Sequence, residues 1–390
     1  MHGLPTRISA IGVQVSILLC AAIVALSPLV ARAQAQQRVM PNDVRRIFMA
    51  GRLSAQDKQT LTNFYKDVVT IMMKPSTGDQ VPDVRAKGYK NLVRGVNKNP
   101  ALDYVNKMLL DGLFRVATSG SYSPAAKYNA MLFLGELTEE NVKPLPEALP
   151  KLMLVLTRAP ASMDYLKPAT LIGLKRFAQE GAIPQNQIGA VAGAMLQIVN
   201  ETDPPAGRSA SAHAFMRRSA AEVLAEIGHP GPNGEVVKAF TAIATNPKSR
   251  LSLRCSMARL LGELNYPAGS KIDVQQIAAT IGRQTIENCQ REVQQAEEAD
   301  REPSRRVLLY SLDSAYEGLK GLAKSAPNGE AETYIRKLYG TIYSLYRDLD
   351  DQEKTPDAEL AAMVNTELPT IEEVLQTGPP AASSETLEAD

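Results

Sequence analysis

The side chains able to do chemistry are few, and their spacing builds no reaction centre. Beyond His2 the chain has two histidines, His213 in a helical stretch and His229 in a turn. Neither has cysteines at a zinc-binding interval or a nucleophile and acid to complete a triad, so both read as surface or capping residues. Asp348, Asp350, Asp351 and Glu353 crowd together. They lack the alternating oxygen ligands and central glycine of a calcium loop, and read as a solvated helix end. No phosphate loop, glycine-rich dinucleotide turn, nucleophile elbow or haem-attachment pair occurs. The sequence therefore leads us to expect no catalytic residue, metal ligand or cofactor.

Three other groups could bind. Tyr339, Tyr343 and Tyr346 flank the apolar stripe Ile335, Leu338, Ile342, Leu345 and Leu349, with Tyr310, Tyr316 and Tyr334 nearby in the chain. Tyrosine supplies rigid amphipathic contact area, so this set is either a docking surface or helix packing with hydroxyls at the rim. Lys127, Arg217, Arg218, Arg254 and Arg259 are expected to line one solvated ridge, or to pair between repeats with Glu136, Glu226 or Glu263. Of these, Arg218 and Arg259 are the candidate partner-binding cations. Cys255 and Cys289 are a possible disulfide. Helix arithmetic around a symmetric turn near 267–273 offsets them by roughly 9 Å, which favours two separately buried thiols.

The elements that must carry these residues repeat. Arg217, Leu224, Ala225, Glu226 and Ile227 in MRRSAAEVLAEIG are matched 37 residues later by Arg254, Leu261, Gly262, Glu263 and Leu264, and Pro230 is matched by Pro267. Lys127, Leu134, Gly135, Glu136 and Leu137 form an earlier copy, and Lys167, Leu174 and Phe177 a weaker one between. The intervals of 40, 50 and 37 residues are near those of two-helix repeats. Each helix has an apolar stripe it cannot bury alone, and small residues such as Ala220, Ala221 and Ala225 admit a close neighbour. MRRSAAEVLAEIG and LRCSMARLLGEL resemble the second helix of HEAT-like repeats. That resemblance covers about 145 residues, from Ser123 to Pro267, and implies an all-α solenoid of antiparallel helix pairs. It implies little about activity. Some families of this kind resemble bilin lyases, but no catalytic pattern carries over; an enzyme on this scaffold would need Glu136, Glu226 and Glu263 to converge on one cleft.

Composition supports helix and narrows the partners. There is no Trp, 5% of residues are aromatic, and the formal net charge is +1, so no field steers the chain toward nucleic acid. Arg7 followed by the uncharged run Ile8–Ala31, with Pro28 and the small-x-small sites Ala31-Arg32-Ala33 and Ala33-Gln34-Ala35, reads as an export signal. The rival is an uncleaved membrane anchor, since the run is long enough to span a bilayer. Leu19 argues against lipidation at Cys20.

Five regions follow: a signal or anchor at 1–35, an N-terminal helical cap at 36–122, a repeat core at 123–270, a helical region at 271–377 and a disordered tail at 378–390. Within them helices are expected at 42–50, 54–73, 83–97, 101–118 and 273–301, the second of them opening on a capping-box-like start at Ser54 and Asp57. Ser123-Pro124 is a strong helix start. The functional expectation is an exported, periplasmic or secreted, non-catalytic scaffold that presents a concave helical surface to a protein or cell-envelope partner. The alternatives are the envelope enzyme and a membrane-anchored assembly factor.

Overall fold

The computed structural model describes residues 42–140, 143–267, 271–326 and 329–378. The stretch read as a signal or anchor, Cys20 within it, and the tail from Pro379 onward lie outside the described residues. What is described is all-α, apart from one small antiparallel hairpin, and divides into two compact units, residues 42–145 and 146–378. The division places the first repeat-like helix with the N-terminal region and the other three together in the second unit.

In the first unit α1 spans Asn42–Ala50 and α2 Ala55–Met73. The expected capping box closes α2: Ser54 Oγ accepts from Asp57 N at 3.1 Å, and Asp57 Oδ2 accepts from Ser54 N at 2.9 Å. The Ser54 hydroxyl also donates to Asp57 Oδ2 at 2.6 Å, and that bond, with the one from Ser54 N, holds the Asp57 carboxyl below its ordinary range. The helix expected at 83–97 is broken. A 3-10 turn over Pro75–Gln80, a short α segment Val81–Arg85, a π turn Ala86–Lys90 and a last turn Asn91–Val93 replace it. The π turn brings Gly88 against Val68, where a Cβ would stand 3.1 Å from the valine side chain. It also buries Tyr89, whose hydroxyl donates to Asn106 Oδ1 at 2.7 Å and accepts from Thr138 N at 2.9 Å. Helices α3 (Pro100–Thr118) and α4 (Pro124–Glu136) follow, α4 capped by Ser123 as expected. The hairpin β1 (Thr138–Glu140) and β2 (Lys143–Pro144) ends the unit.

The second unit is a series of helix pairs. Helix α5 (Ala148–Arg158) packs on α6 (Lys167–Gln179), α7 (Gln185–Asn200) on α8 (Ala210–Ile227), and α9 (Glu235–Thr245) on α10 (Leu251–Leu261). The last four helices are α11 (Val274–Glu298), α12 (Arg305–Ser325), α13 (Glu330–Asp350) and α14 (Leu360–Gln376). Helices α6, α8, α10, α12 and α13 touch in that order, while α7, α9, α11 and α14 touch in theirs. The unit thus has a first layer, α7-α9-α11-α14, and a second layer, α6-α8-α10-α12-α13. Leu174, Leu224 and Leu261, the shared apolar position of the repeats, are all buried on consecutive second-layer helices; Leu134 is buried in the first unit.

Small residues set the tightest approach. Gly262, just past α10, and Gly318 and Gly321 on α12 meet backbone to backbone, so a Cβ on any of them would overlap a main-chain carbonyl. In the turn after α8, Gly228, Gly231 and Gly234 all take the left-handed conformation that lets the chain reverse into α9.

Candidate interaction surface

The basic positions do not form one ridge; they split by burial. Arg217 is 8% exposed and Arg254 is 1% exposed. Each turns inward to the end of the preceding first-layer helix. Arg217 Nε donates to the Val199 carbonyl at 2.8 Å, and Arg254 Nε to the Ala244 carbonyl at 3.0 Å. Both acceptors lie two residues before the C-cap of their helix, where carbonyls have no partner within the helix. Arg305 does the same for α13 through the Leu349 carbonyl. Burial lowers the Arg217 and Arg254 pKa values, the signature of a cation taken out of water to make such a cap. Lys127 is buried as well, within the first unit. The expectation of a solvated ridge is therefore corrected: at Arg217 and Arg254 the recurring basic residue is a helix-end clamp inside the fold.

Arg218 and Arg259 are the two that face out. Arg218 lies 3.7 Å from Glu222 and 5.5 Å from the Phe215 ring, and Arg259 lies 3.0 Å from Glu263. Lys175 reaches Glu222 at 3.1 Å and Gln179 reaches Glu226 at 2.8 Å, which fixes the register of α6 on α8. Arg250 to Ser211 Oγ at 2.6 Å ties α10 to α8, and Tyr310 hydroxyl to the Ser252 carbonyl at 3.3 Å ties α12 to α10. The exposed cations of this face are thus largely matched by its own carboxylates.

The same face carries exposed apolar side chains. Ile172 on α6, Phe215 on α8, Tyr310 on α12 and Tyr343 on α13 are all more than a third exposed. The tyrosines gather as a row. Tyr316 stacks on Tyr343 with ring centres 4.7 Å apart, Tyr343 lies nearly parallel to Tyr346 at 6.2 Å, and Tyr339 meets Tyr316 edge-on at 5.8 Å. Tyr334 is not part of the row; it is buried, with Gly378 against its ring.

The chain matches no family model, no curated protein and no solved structure. Its surface must be read from its own chemistry.

That chemistry includes no assembled reaction centre among the described residues. Glu136 is held by Arg85 and Lys90 within the first unit, Glu226 by Gln179 and Glu263 by Arg259. Asp348 takes Lys354, and Asp351 Oδ1 accepts from the backbone N–H groups of Glu353 and Lys354, a turn that closes α13. No group of three His, Cys, Asp or Glu side chains able to hold a metal occurs among the described residues. No described helix is long and apolar enough to cross a membrane.

Cys255 and Cys289 are free, buried thiols. The helix stagger is smaller than a symmetric turn allows, since Asn288 Nδ2 comes within 3.7 Å of Cys255 Sγ. Burial pushes the Cys255 thiol up to about 11 and the Cys289 thiol up to about 12, so both are protonated and inert near neutrality.

One half-buried network had no sequence signal. Arg208, in the loop between α7 and α8, forks onto Asp164 with bonds of 2.8 and 2.7 Å, and its third nitrogen donates to Glu201 at 2.8 Å. That nitrogen also meets His213 Nδ1 at 2.9 Å. A guanidinium only donates, so Nδ1 is the bare nitrogen, and Nε2–H donates to the Glu201 carbonyl at 2.8 Å. His213 is thus a buried capping residue of α7 rather than a surface one. The Arg208 fork depresses the Asp164 carboxyl.

Proposed function

We propose that this protein is an exported, non-catalytic interaction scaffold built of HEAT-like helix pairs, and that the second-layer face of residues 146–378 receives a protein or cell-envelope partner. The observation that carries this reading is the distribution of exposed apolar side chains. Ile172, Phe215, Tyr310 and Tyr343 occupy four of the five second-layer helices, while the first-layer helices α7, α9, α11 and α14 expose none of comparable size among the described residues; α5, the partner of α6, exposes Leu154. A face of this kind costs solubility, and rows of aromatic anchors rimmed by matched charges are typical of binding surfaces. The small net charge and the matched cations of the face disfavour a nucleic-acid partner. The apolar run at Ile8–Ala31 supports export, with membrane attachment only where that segment is retained.

In-cell photo-cross-linking tests the reading. Photoreactive residues at 172, 215 and 343 should each capture the same partner, whereas residues at Gln197 and Ala242, exposed on the first layer, should not. Equal capture from both layers, or capture only from the first, would remove the proposal.

A further inference from the structure

The small net charge of the chain conceals two units of opposite sign. Residues 42–145 carry 15 Lys and Arg against 10 Asp and Glu, and residues 146–378 carry 25 against 29. The basic surplus of the first unit is exposed at α1. We propose that Arg45, Arg46, Arg52 and Arg94, around the tip of Met49, form a docking surface for an anionic lipid bilayer. This contact is peripheral and reversible, separate from anchoring through Ile8–Ala31 and from the second-layer face of residues 146–378.

Helix α1 turns its two sides to different surroundings. Val44, Ile47 and Phe48 are buried, while Met49 sits three residues from Arg46 and four from Arg45, all exposed on the other side. Met49 is 64% exposed, more than any other large apolar side chain among the described residues. Arg52 follows just past the helix end. The Asp57 carboxyl, held low first by its Ser54 bonds, is lowered further by both Arg46 and Arg52, which places the two arginines near it. Arg94 comes directly after the turn Asn91–Val93, which packs on α1. The same loop returns to the helix where Asn99 Nδ2 donates to the Phe48 carbonyl at 3.1 Å.

The acidic neighbours do not cancel this charge. Asp43 takes Arg46 at 3.0 Å, a pair exposed on both sides and therefore weak, and Asp57 is occupied by Ser54. Arg45, Arg52 and Arg94 form no ion pair among the described residues, whereas Lys87, Lys90 and Lys98 of the same unit hold Asp83, Glu136 and Glu139. The combination chooses the ligand. A guanidinium fork matches phosphate oxygens with two parallel bonds, and a headgroup layer presents phosphates side by side. Beneath that layer lies hydrocarbon, which receives an apolar tip such as Met49 while the arginines beside it stay with the phosphates. Nucleic acid offers phosphates with no apolar layer beneath them, and an acidic protein surface offers carboxylates without one.

The chain has no tryptophan, so Met49→Trp places a single fluorescent reporter at the tip of the patch. The full chain carrying it is mixed with vesicles of equimolar phosphatidylglycerol and phosphatidylcholine, with vesicles of phosphatidylcholine alone, and with soluble polyglutamate. In the anionic vesicles emission should shift to the blue and be quenched by brominated acyl chains; in the neutral ones it should stay as in water. Arg45→Gln and Arg52→Gln, added to the reporter chain, should each lower the ratio of inserted to free reporter about fivefold. Salt at about 1 M, which screens charges beyond roughly 3 Å, should remove the shift. Leu154→Trp, exposed on α5 and outside the patch, should show no shift with either vesicle. Met49, Arg45 and Arg52 are exposed, so their replacement spares the core, and far-UV circular dichroism confirms that each variant is folded. No shift in anionic vesicles would overturn the inference, as would an equal shift in neutral ones or at Leu154→Trp. So would a shift indifferent to both arginine variants. A reporter moved by polyglutamate and not by vesicles would assign the patch to an acidic protein and overturn it too.

Discussion

Replacing Gly318 with alanine should destabilise the second unit, while the same change at Gly340, one helix away, should stabilise it. A Cβ at Gly318 would lie well inside 3.0 Å of the Ala258 carbonyl oxygen, a separation real Cβ atoms essentially never show. The obstacle is main chain, which cannot rotate aside, so α10 and α12 would have to move apart. Overpacking of this kind costs about 1–3 kcal/mol. The helical preference of alanine over glycine returns about 0.5–1 kcal/mol; because the contact is with main chain and far inside van der Waals distance, the cost lies in the middle to upper part of its range, about 2–3 kcal/mol, leaving a net loss of about 1–2 kcal/mol. Around Gly340 no atom lies within 4 Å, so the preference acts alone and gains about 0.5–1 kcal/mol. For a unit of this size a change of 1 kcal/mol moves Tm by about 2–4 °C. Thermal unfolding followed by circular dichroism should therefore place Gly318→Ala roughly 2–8 °C below the parent and Gly340→Ala roughly 1–4 °C above it. Shifts of the same sign, or no loss at Gly318, would refute the backbone-contact reasoning.

Three further outcomes follow from the inward and outward placement of side chains. Arg217→Met and Arg254→Met leave a helix-end carbonyl unbonded and should each lose about 1–3 kcal/mol in urea unfolding, whereas Arg218→Ala and Arg259→Ala should each lose less than about 1 kcal/mol. Cys255 and Cys289 should resist alkylation in the folded chain at neutral pH and react fully in denaturant, with or without prior reductant. Their folded pKa values of about 11 and about 12 exceed the ordinary 9.0, so both states are neutral below that value and only the unfolded chain ionises just above it. Stability should accordingly fall as pH rises from 9 toward 12, and less steeply in the Cys255→Ala, Cys289→Ala double variant.

Local signals were legible in the sequence. Ser54 with Asp57 and Ser123 with Ala126 act through bonds to a residue three positions away, and each caps its helix as its spacing implies. The apolar stripe through Leu174, Leu224 and Leu261 was legible because a helix repeats its face every 3.6 residues. What depended on a distant partner was not. The direction of Arg217 and Arg254 follows from carbonyls at the end of the previous helix, 18 and 10 residues back, and a basic residue next to a polar face carries no mark of that. Arg208 finds Asp164 across 44 residues, from a loop whose prolines and glycine carry no mark of that partner. The break over 75–93 arises where Gly88 must approach Val68 and Tyr89 must reach Asn106 and Thr138, contacts with no counterpart in helix periodicity. Among the candidate binding residues, Tyr339, Tyr343 and Tyr346 do share a row, but Tyr316 on another helix completes it and Tyr334 leaves it.

Hydroxyl-radical footprinting of side chains, in intact cells against the purified chain, tests the docking face most directly. Ile172, Phe215, Tyr310 and Tyr343 should lose reactivity in the cell, while Leu154, exposed on α5, keeps the reactivity it has in isolation. Equal oxidation of all five in both settings, or protection of Leu154 alone, would contradict the assignment of the second layer as the surface this protein uses.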